Sequence, residues 1–341
     1  MRALSIASAF APVLCLLAVL LAMDSFKLLR FHVLVQALAA GIGAAVVALV
    51  IHAQLTMTAG VPVPLVRRGI APIVEELLKL AFIAYAIRRR RVGFPVDAAI
   101  LGFAVGTGFA LVENAYYLSS LKRGSAALWL VRGFGVALLH ASTTAIAAIM
   151  SQRLSAARPG QAWKDFLPGA LTAIVVHAIY NQFVLPPVVA TLVLLAVLPP
   201  LVLLVFNRSE RATREWISDG LDLDVELLRL VLSEDFGSTR LGGYLSELRS
   251  RFPGPVVADM FCLMRVELEL GIRAKGMLLA REAGLEVPLD EETRRQLDEV
   301  VYLQKSIGPT GMLALGPLQV SGGRDVWHKF LLGEQKKRHH K

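Results

Sequence analysis

The sequence predicts an all-helical protein: a polytopic membrane helix bundle of about seven spans, followed by a soluble helical C-terminal domain. Two observations predict this fold class. Of the 341 residues, 55% are hydrophobic and only 18% are charged, whereas soluble domains average about 25% charged residues. The apolar residues also form long blocks up to about residue 206, whereas the elements of a soluble domain alternate apolar with polar positions.

Seven apolar stretches have about the length that a helix needs to cross the hydrocarbon core, which is about 20 residues. The first resembles a signal peptide, but its apolar run is too long and no AxA cleavage site follows, so we expect a retained anchor. The third and sixth are the least hydrophobic because they carry ionisable residues. The expected spans lie near Leu4–Met23, Leu34–His52, Ile70–Ile87, Asp97–Leu118, Ala126–Met150, Leu167–Leu185 and Val188–Phe206.

The basic residues between these spans predict the orientation of the bundle. Twelve of them fall on one side, namely Lys27, Arg30, Arg88–Arg91, Arg153, Arg158, Lys164, Arg208, Arg211 and Arg214. Only five fall on the other side, namely Arg2, Arg67, Arg68, Lys122 and Arg123. Because basic loops stay in the cytoplasm, we expect the inner (cytoplasmic) membrane, with the N-terminus outside and the C-terminus inside. The net charge of +9 is explained in this way, and nucleic-acid binding is not expected.

The composition predicts a domain boundary near residue 207, with a transmembrane domain at residues 1–206 and a cytosolic domain at residues 207–341. In the second part, Val225–Leu232, Val256–Leu270 and Glu291–Leu303 carry apolar residues at helical spacing. The tail Lys336–Lys341 is basic and expected to be disordered. This part contains no catalytic motif, and we expect it to serve regulation or to bind a cytosolic partner.

Ionisable and amide side chains interrupt four of the expected spans. A charge at mid-bilayer costs about 2.5–3.5 kcal/mol on insertion scales, and such residues therefore indicate a functional site. With the predicted orientation, the polar groups of all four spans lie between the middle of the membrane and its outer leaflet. We therefore expect them to meet in one pocket. They are Glu75, Glu76, Lys79, Glu113, Asn114, His140, His177 and Asn181.

This set of side chains is suited to hydrolysis. A carboxylate in an apolar site can act as a base toward water, and histidine or asparagine side chains can donate to the oxyanion of a tetrahedral intermediate. The same glutamates and histidines could instead hold zinc, with water as the remaining ligand. Spacing alone does not separate the two mechanisms.

Other functions fit the same residues. Intramembrane carboxylates and histidines also form proton relays, so an ion- or proton-coupled transporter is an alternative, although the sequence has no inverted repeat of the transporter kind. A non-catalytic protein that binds membrane partners is another. Glu75 and Lys79, four residues apart on one helix face, could simply form a structural pair.

Four motifs carry a resemblance to a known family. Glu-Glu-Leu-Leu-Lys at 75–79 fits EExxK, Phe-Ala-Leu-Val-Glu-Asn at 109–114 fits FxxxEN, His140 follows alone, and His177 with Asn181 fits HxxxN. In this order, over residues 70–185, the chain resembles the PrsW intramembrane proteases, distant relatives of the type II CAAX prenyl endopeptidases. The resemblance implies cleavage of a membrane-anchored protein, in the best-known case an anti-sigma factor cut on its extracytoplasmic side.

The resemblance also implies roles for single residues. Glu75 and Glu76 would supply the water-activating base, His140 and His177 would be catalytic or metal-binding, and Asn181 would support the oxyanion. If the protein binds zinc, the implied ligands are Glu76, His140 and His177. The prenyl endopeptidases have a histidine where this chain has Glu113. This difference argues against prenylated substrates, and the role of Glu113, which is also a catalytic candidate, stays open.

Four polar residues near the span ends are expected to have structural roles. We expect Asn114 to bond across helices, as amides commonly do in membrane bundles. His52 is expected at the membrane interface. Arg132 and Asp97 are expected to snorkel or to cap helix ends.

Overall fold

The computed structural model describes residues 2–24, 29, 31–89, 91–120, 125–157, 163–285, 287–288 and 290–316. Every element in these ranges is a helix, which confirms the all-helical class. The predicted basic tail lies outside the described residues. The α-helices are α1 (Arg2–Met23), α2 (Phe31–Met57), α3 (Val63–Leu65), α4 (Ala71–Arg88), α5 (Pro95–Ser120), α6 (Ala126–Leu130), α7 (Leu138–Ala157), α8 (Leu167–Asn181), α9 (Pro187–Val231), α10 (Arg240–Leu248), α11 (Gly254–Glu282) and α12 (Glu291–Ala314).

Several helices are long and apolar enough to cross a membrane, as the sequence predicts. In the described part of the chain there are five, at Ile6–Met23, Phe31–Met57, Pro95–Ser120, Ala127–Ala156 and Pro187–Val231. The remaining two predicted spans correspond to α4 and α8. Helix α4 is continuous, but charged residues interrupt its apolar sequence, and α8 is apolar but has only 15 residues. The number of seven spans and the orientation therefore stay predictions.

The chain forms two compact units, Met1–Arg211 and Ala212–Lys341. The second unit has its own apolar core, in which Met260 and Leu263 of α11 pack with Val300 and Leu303 of α12. Helical structure at the three segments predicted from periodicity is confirmed, except that α9 ends at Val231. The domain boundary near residue 207 and the solubility of the second unit stay predictions.

Helix α5 lies at the centre of the first unit, because it is buried along most of its length and packs against α2 and α7. Glycines make this packing possible. A Cβ on Gly102 would lie 2.6 Å from the carbonyl oxygen of Thr144, and one on Gly106 would collide with the carbonyl oxygen of His140. Gly108 faces α2 in the same way, against the backbone of Leu38. These small residues let the backbones of neighbouring helices approach closely.

Two π-helical segments lead into helices that carry candidate site residues. Val66–Ile70 precedes α4, and Val131–Ala137 precedes α7. Such wide turns are rare and frequently occur at functional sites. In the second segment, a Cβ on Gly133 would collide with the carbonyl oxygen of Ser8 in α1, so the backbones touch. This close contact positions the neighbouring Arg132, which is buried.

Candidate active site

The predicted site residues Glu75, Glu76, Glu113, His140 and His177 converge, although they come from α4, α5, α7 and α8. Glu76 is at the centre of this cluster. Its Oε1 lies 2.6 Å from Lys79 Nζ and 2.9 Å from His177 Nδ1. The side chains of Glu76 and Lys79 are completely buried. Glu76 is therefore held between an ammonium group and an imidazole, which fixes its position.

Lys79 pairs with Glu76 and not, as helical spacing suggested, with Glu75. The two partners are three residues apart, and both spacings bring side chains to the same helix face. Lys79 Nζ also lies 3.1 Å from His140 Nδ1 and 5.1 Å from the centre of the Phe109 ring. The lysine thus faces the protein interior, where α4, α5 and α7 meet.

His140 is held at both ring nitrogens. Besides the contact of Nδ1 with Lys79, its Nε2 lies 3.0 Å from Glu113 Oε2. An ammonium group can only donate, so Nδ1 accepts and Nε2 carries the proton that Glu113 accepts. The His140 ring stands edge-on to that of His177, with centroids 4.9 Å apart and an interplanar angle of 87°.

Arg132 is buried beside Glu113, which corrects the expectation that it snorkels at a span end. Its guanidinium lies 3.2 Å from Glu113 Oε1, donates from Nε to Asn114 Oδ1 at 2.9 Å, and stacks 3.8 Å from the centre of the Tyr117 ring. Asn114 in turn donates to the carbonyl oxygen of Ala9 at 2.7 Å. The predicted cross-helix bond of Asn114 is confirmed, and Arg132 holds Glu113 in place.

Glu75, like Glu113, borders open space. Its side chain is 12% exposed, and its oxygens lie 3.8 Å from His52 Nδ1 and 3.9 Å from His177 Nε2. Both distances are longer than a hydrogen bond. The intervening space is therefore suited to a water molecule or a metal ion that contacts the carboxylate and the imidazoles together.

His52 also lies beside this site, and its expected depth at the membrane interface stays a prediction. It sits in the last two turns of α2, near Glu75. Its Nε2 is buried and has no hydrogen-bond partner among the described residues. The sequence did contain a signal for this placement, because His52 ends a span at the same depth as Glu75. Periodicity alone does not say which way the ring points.

Asn181 lies at the rim of the cluster. Its amide nitrogen donates to the carbonyl oxygen of Arg67 at 3.0 Å, and the next residue, Gln182, donates to that of Arg68 at 3.1 Å. These two bonds tie the end of α8 to the π-helical segment before α4. They hold His177 opposite Glu75 and Glu76.

Asp97 was expected to snorkel or to cap a helix end. It accepts a hydrogen bond from the backbone N–H of Phe94 at 3.1 Å, which fits capping of α5.

The cluster opens into a cavity of about 600 Å³. Its polar lining includes Glu75, Glu113, His140 and His177, and its rim includes Tyr116 and Asn181. Alanine, valine and phenylalanine side chains make up much of the remaining wall. The cavity thus joins ionisable groups to an apolar surface inside a membrane helix bundle.

The donor set at this cavity fits a divalent metal ion. Glu75, His140 and His177 each offer one ligand atom, and these atoms lie within 4.8 Å of one another. Two imidazoles and one carboxylate form a common catalytic zinc set with an open position. Glu76 and Glu113 each contact one of the histidines, as carboxylates do behind metal-bound imidazoles. A metal ion and the Lys79 ammonium would compete for Nδ1 of His140, which is the unprotonated nitrogen of that ring.

Comparison with known proteins agrees with this arrangement. The family model of the PrsW family intramembrane metalloproteases matches residues 29–205, which contain all the clustered side chains. No curated protein and no solved structure gave a significant match. The match covers more than half of the chain, so this protein is an intramembrane protease of the PrsW family.

Proposed function

We propose that this enzyme hydrolyses a peptide bond in a membrane-anchored protein, near the extracytoplasmic side of the membrane. The single observation that carries the proposal is the convergence of two carboxylates and three imidazoles at one cavity inside the helix bundle. Family membership supports the reaction class. An anti-sigma factor is the membrane-anchored substrate that the resemblance suggests.

Glu75 is the proposed base that activates water. It is the carboxylate of α4 that borders the cavity, and both of its oxygens are free of short contacts to His52 and His177. A water molecule between Glu75 and a histidine would be held by two groups, one of which accepts its proton. The proton would later pass to the amine of the departing peptide.

Glu76, Lys79, Glu113 and Arg132 are the proposed positioning residues. Glu76 and Lys79 are completely buried, contact each other and the two histidines, and do not line the cavity, so they are poor candidates for direct contact with substrate. Glu76 orients His177, and Glu113 orients His140 while Arg132 holds Glu113. This assignment favours Glu75 over Glu76 in both mechanisms, as the base if water is activated without a metal ion and as a ligand if a metal ion is bound.

A divalent ion such as zinc at Glu75, His140 and His177 would acidify water and polarise the scissile carbonyl. Around it, the chain's own side chains hold both imidazoles in one tautomer. Nε2 of His52, which lacks a hydrogen-bond partner within the described ranges, is a proposed donor to the oxyanion. Asn181, which already donates to the carbonyl oxygen of Arg67, has a second N–H and stays a candidate for the same role.

The test is cleavage of a co-expressed membrane-anchored reporter by the full-length protein. We expect Glu75→Gln and His177→Ala to reduce cleavage by about 100-fold or more, since general base catalysis contributes on the order of 10²–10⁴. Glu247→Gln is the matched control, because Glu247 is exposed and lies in the second unit. Unchanged cleavage by Glu75→Gln would reject Glu75 as the base.

Metal content is measured on the same purified variants. We expect about one divalent ion per chain in the wild type and in Glu247→Gln, and its loss in His177→Ala. Chelation should then abolish reporter cleavage, with recovery on adding zinc. A wild-type enzyme that cleaves without bound metal and in the presence of chelator would favour the glutamate–water mechanism.

A further inference from the structure

A second cavity of about 800 Å³ lies between α4 and α8, away from the candidate active site. Its floor is apolar and includes Leu77, Ala81 and Ala84 of α4 with Phe166 and Ala170. It extends along α4 from Leu77 to Arg89, so its far end is about 20 Å from Glu75 at 1.5 Å per residue. The groove itself, from Leu77 to Arg89, is about 18 Å long at 1.5 Å per residue, slightly more than the depth of one leaflet, which is about half of a roughly 30 Å hydrocarbon core.

The cavity opens on a surface with the character of a lipid-facing one. Along α8, the side chains of Leu167, Leu171, Val175 and Ile179 are each more than half exposed and follow one another at intervals of four residues. On α4, Leu77 is also 51% exposed. In a membrane protein, such an apolar stripe contacts acyl chains, so the groove between the two helices is accessible to lipid.

Positive charge is concentrated at one end of this groove. Arg88 and Arg89 line it, and the Arg88 guanidinium lies 4.7 Å from the centre of the Trp163 ring, which orients it. Helix α8 begins at the same end without a side-chain cap, so its first N–H groups and its dipole add positive potential. Asp165, the acidic residue of this turn, is buried.

We propose that this groove binds one anionic phospholipid. The acyl chain would lie on the apolar floor, and the phosphate would meet Arg88, Arg89 and the N-terminus of α8. The combination favours this ligand because an uncharged lipid would leave the arginines unused, and a free anion would leave the apolar floor unused. The inference goes beyond the proteolytic function and does not depend on it.

The test is lipid retention by the purified full-length protein, measured by native mass spectrometry. The probes are phosphatidylglycerol and phosphatidylcholine with identical acyl chains. We expect the wild type to prefer phosphatidylglycerol and the double variant Arg88→Gln/Arg89→Gln to lose roughly thirty-fold in affinity for it, since each basic residue near an anionic surface contributes about five-fold. Arg68→Gln, an exposed arginine before the other end of α4, is the matched control.

A second pair of variants separates a lipid from a free anion. Ala81→Trp fills the floor of the groove and should abolish phosphatidylglycerol retention, while Leu171→Trp, on the same lipid-facing surface but outside the groove, should not. Equal retention of the two lipids by the wild type would overturn the proposal. So would unchanged retention in the double arginine variant, or retention that survives Ala81→Trp.

Discussion

Lys79 shows how this protein maintains a charge inside an apolar bundle. Its side chain is completely buried, and its ammonium lies 2.6 Å from Glu76 and 3.1 Å from His140. A buried ion pair adds little net stability, because desolvation of the two ions offsets their attraction. Removal of one partner alone is different, since it leaves the other charge uncompensated.

At the residue scale we therefore predict that Lys79→Met destabilises the folded protein by about 3–5 kcal/mol. The measurement is the thermal melting of the detergent-solubilised protein. The double variant Glu76→Gln/Lys79→Met should melt above the single variant, because the uncompensated carboxylate is then removed as well. A single variant as stable as the wild type would show that Glu76 is neutral or paired elsewhere.

The sequence predicted that ionisable residues of four spans converge but not which contacts each one makes. The order and depth of the polar groups predicted the convergence of Glu75, Glu113, His140 and His177. The choice between Glu75 and Glu76 as partner of Lys79 depends on side-chain rotamers. The inward position of Arg132 was not predicted, because the π-helical turn that directs it inward has no pattern in the sequence. The approach of His52 to Glu75 was not predicted either, because a residue near a helix end can point either way.

At the scale of elements, the close contact of α5 with α7 positions His140. Gly106 lies directly against the backbone of that residue, so a methyl group there would force the two helices apart. We predict that Gly106→Ala destabilises the protein by about 1–3 kcal/mol, as overpacking does, and that reporter cleavage falls because His140 moves. Thermal melting and the cleavage assay measure the two effects.

Gly43→Ala is the matched control for the Gly106→Ala variant. A Cβ on Gly43 of α2 meets nothing within 4 Å, and alanine favours a helix by about 1 kcal/mol over glycine. This variant should be at least as stable as the wild type and fully active. If Gly106→Ala behaved in the same way, the contact between α5 and α7 would be looser than the structure indicates.

Helix α12 of the second unit gives a prediction about pH. Asp290 caps it by accepting from the hydroxyl of Thr293 at 2.5 Å and from its backbone N–H at 2.9 Å, and these bonds lower the pKa of Asp290. A lowered folded-state pKa stabilises the fold above the unfolded value of about 3.9, and this stability is lost as the pH falls through the folded pKa.

Asp290→Asn should therefore reduce the fall in melting temperature of the full-length protein between about pH 5 and pH 3. Asparagine still caps a helix but does not titrate, so the comparison isolates the ionisation. The same substitution at the exposed Asp219 is the control and should leave the dependence of melting temperature on pH unchanged. If the melting temperature of Asp290→Asn depended on pH in the same way as that of the wild type, the ionised Asp290 cap would not contribute to stability.

At the scale of the whole molecule, composition predicted the helical class and the membrane bundle, because long apolar blocks have few other folds open to them. The number of spans is harder to predict. Helix α8 is short, and α4 contains Glu75, Glu76 and Lys79, so a hydropathy criterion excludes both. Yet these charges face one another in the interior, which removes the usual cost of placing them in lipid.

We therefore predict seven spans with the N-terminus outside, and single cysteines in the connecting segments test this. In a Cys15→Ser/Cys262→Ser background, a membrane-impermeant thiol reagent applied to intact cells should label Ser125→Cys but not Gly93→Cys. If α4 and α8 did not cross, the chain would pass the membrane five times and the result would be the reverse. Thr58→Cys is the control, since it is outside and labelled in both cases. Labelling of Gly93→Cys with protection of Ser125→Cys would thus reject the seven-span bundle, and protection of Thr58→Cys would reject the orientation.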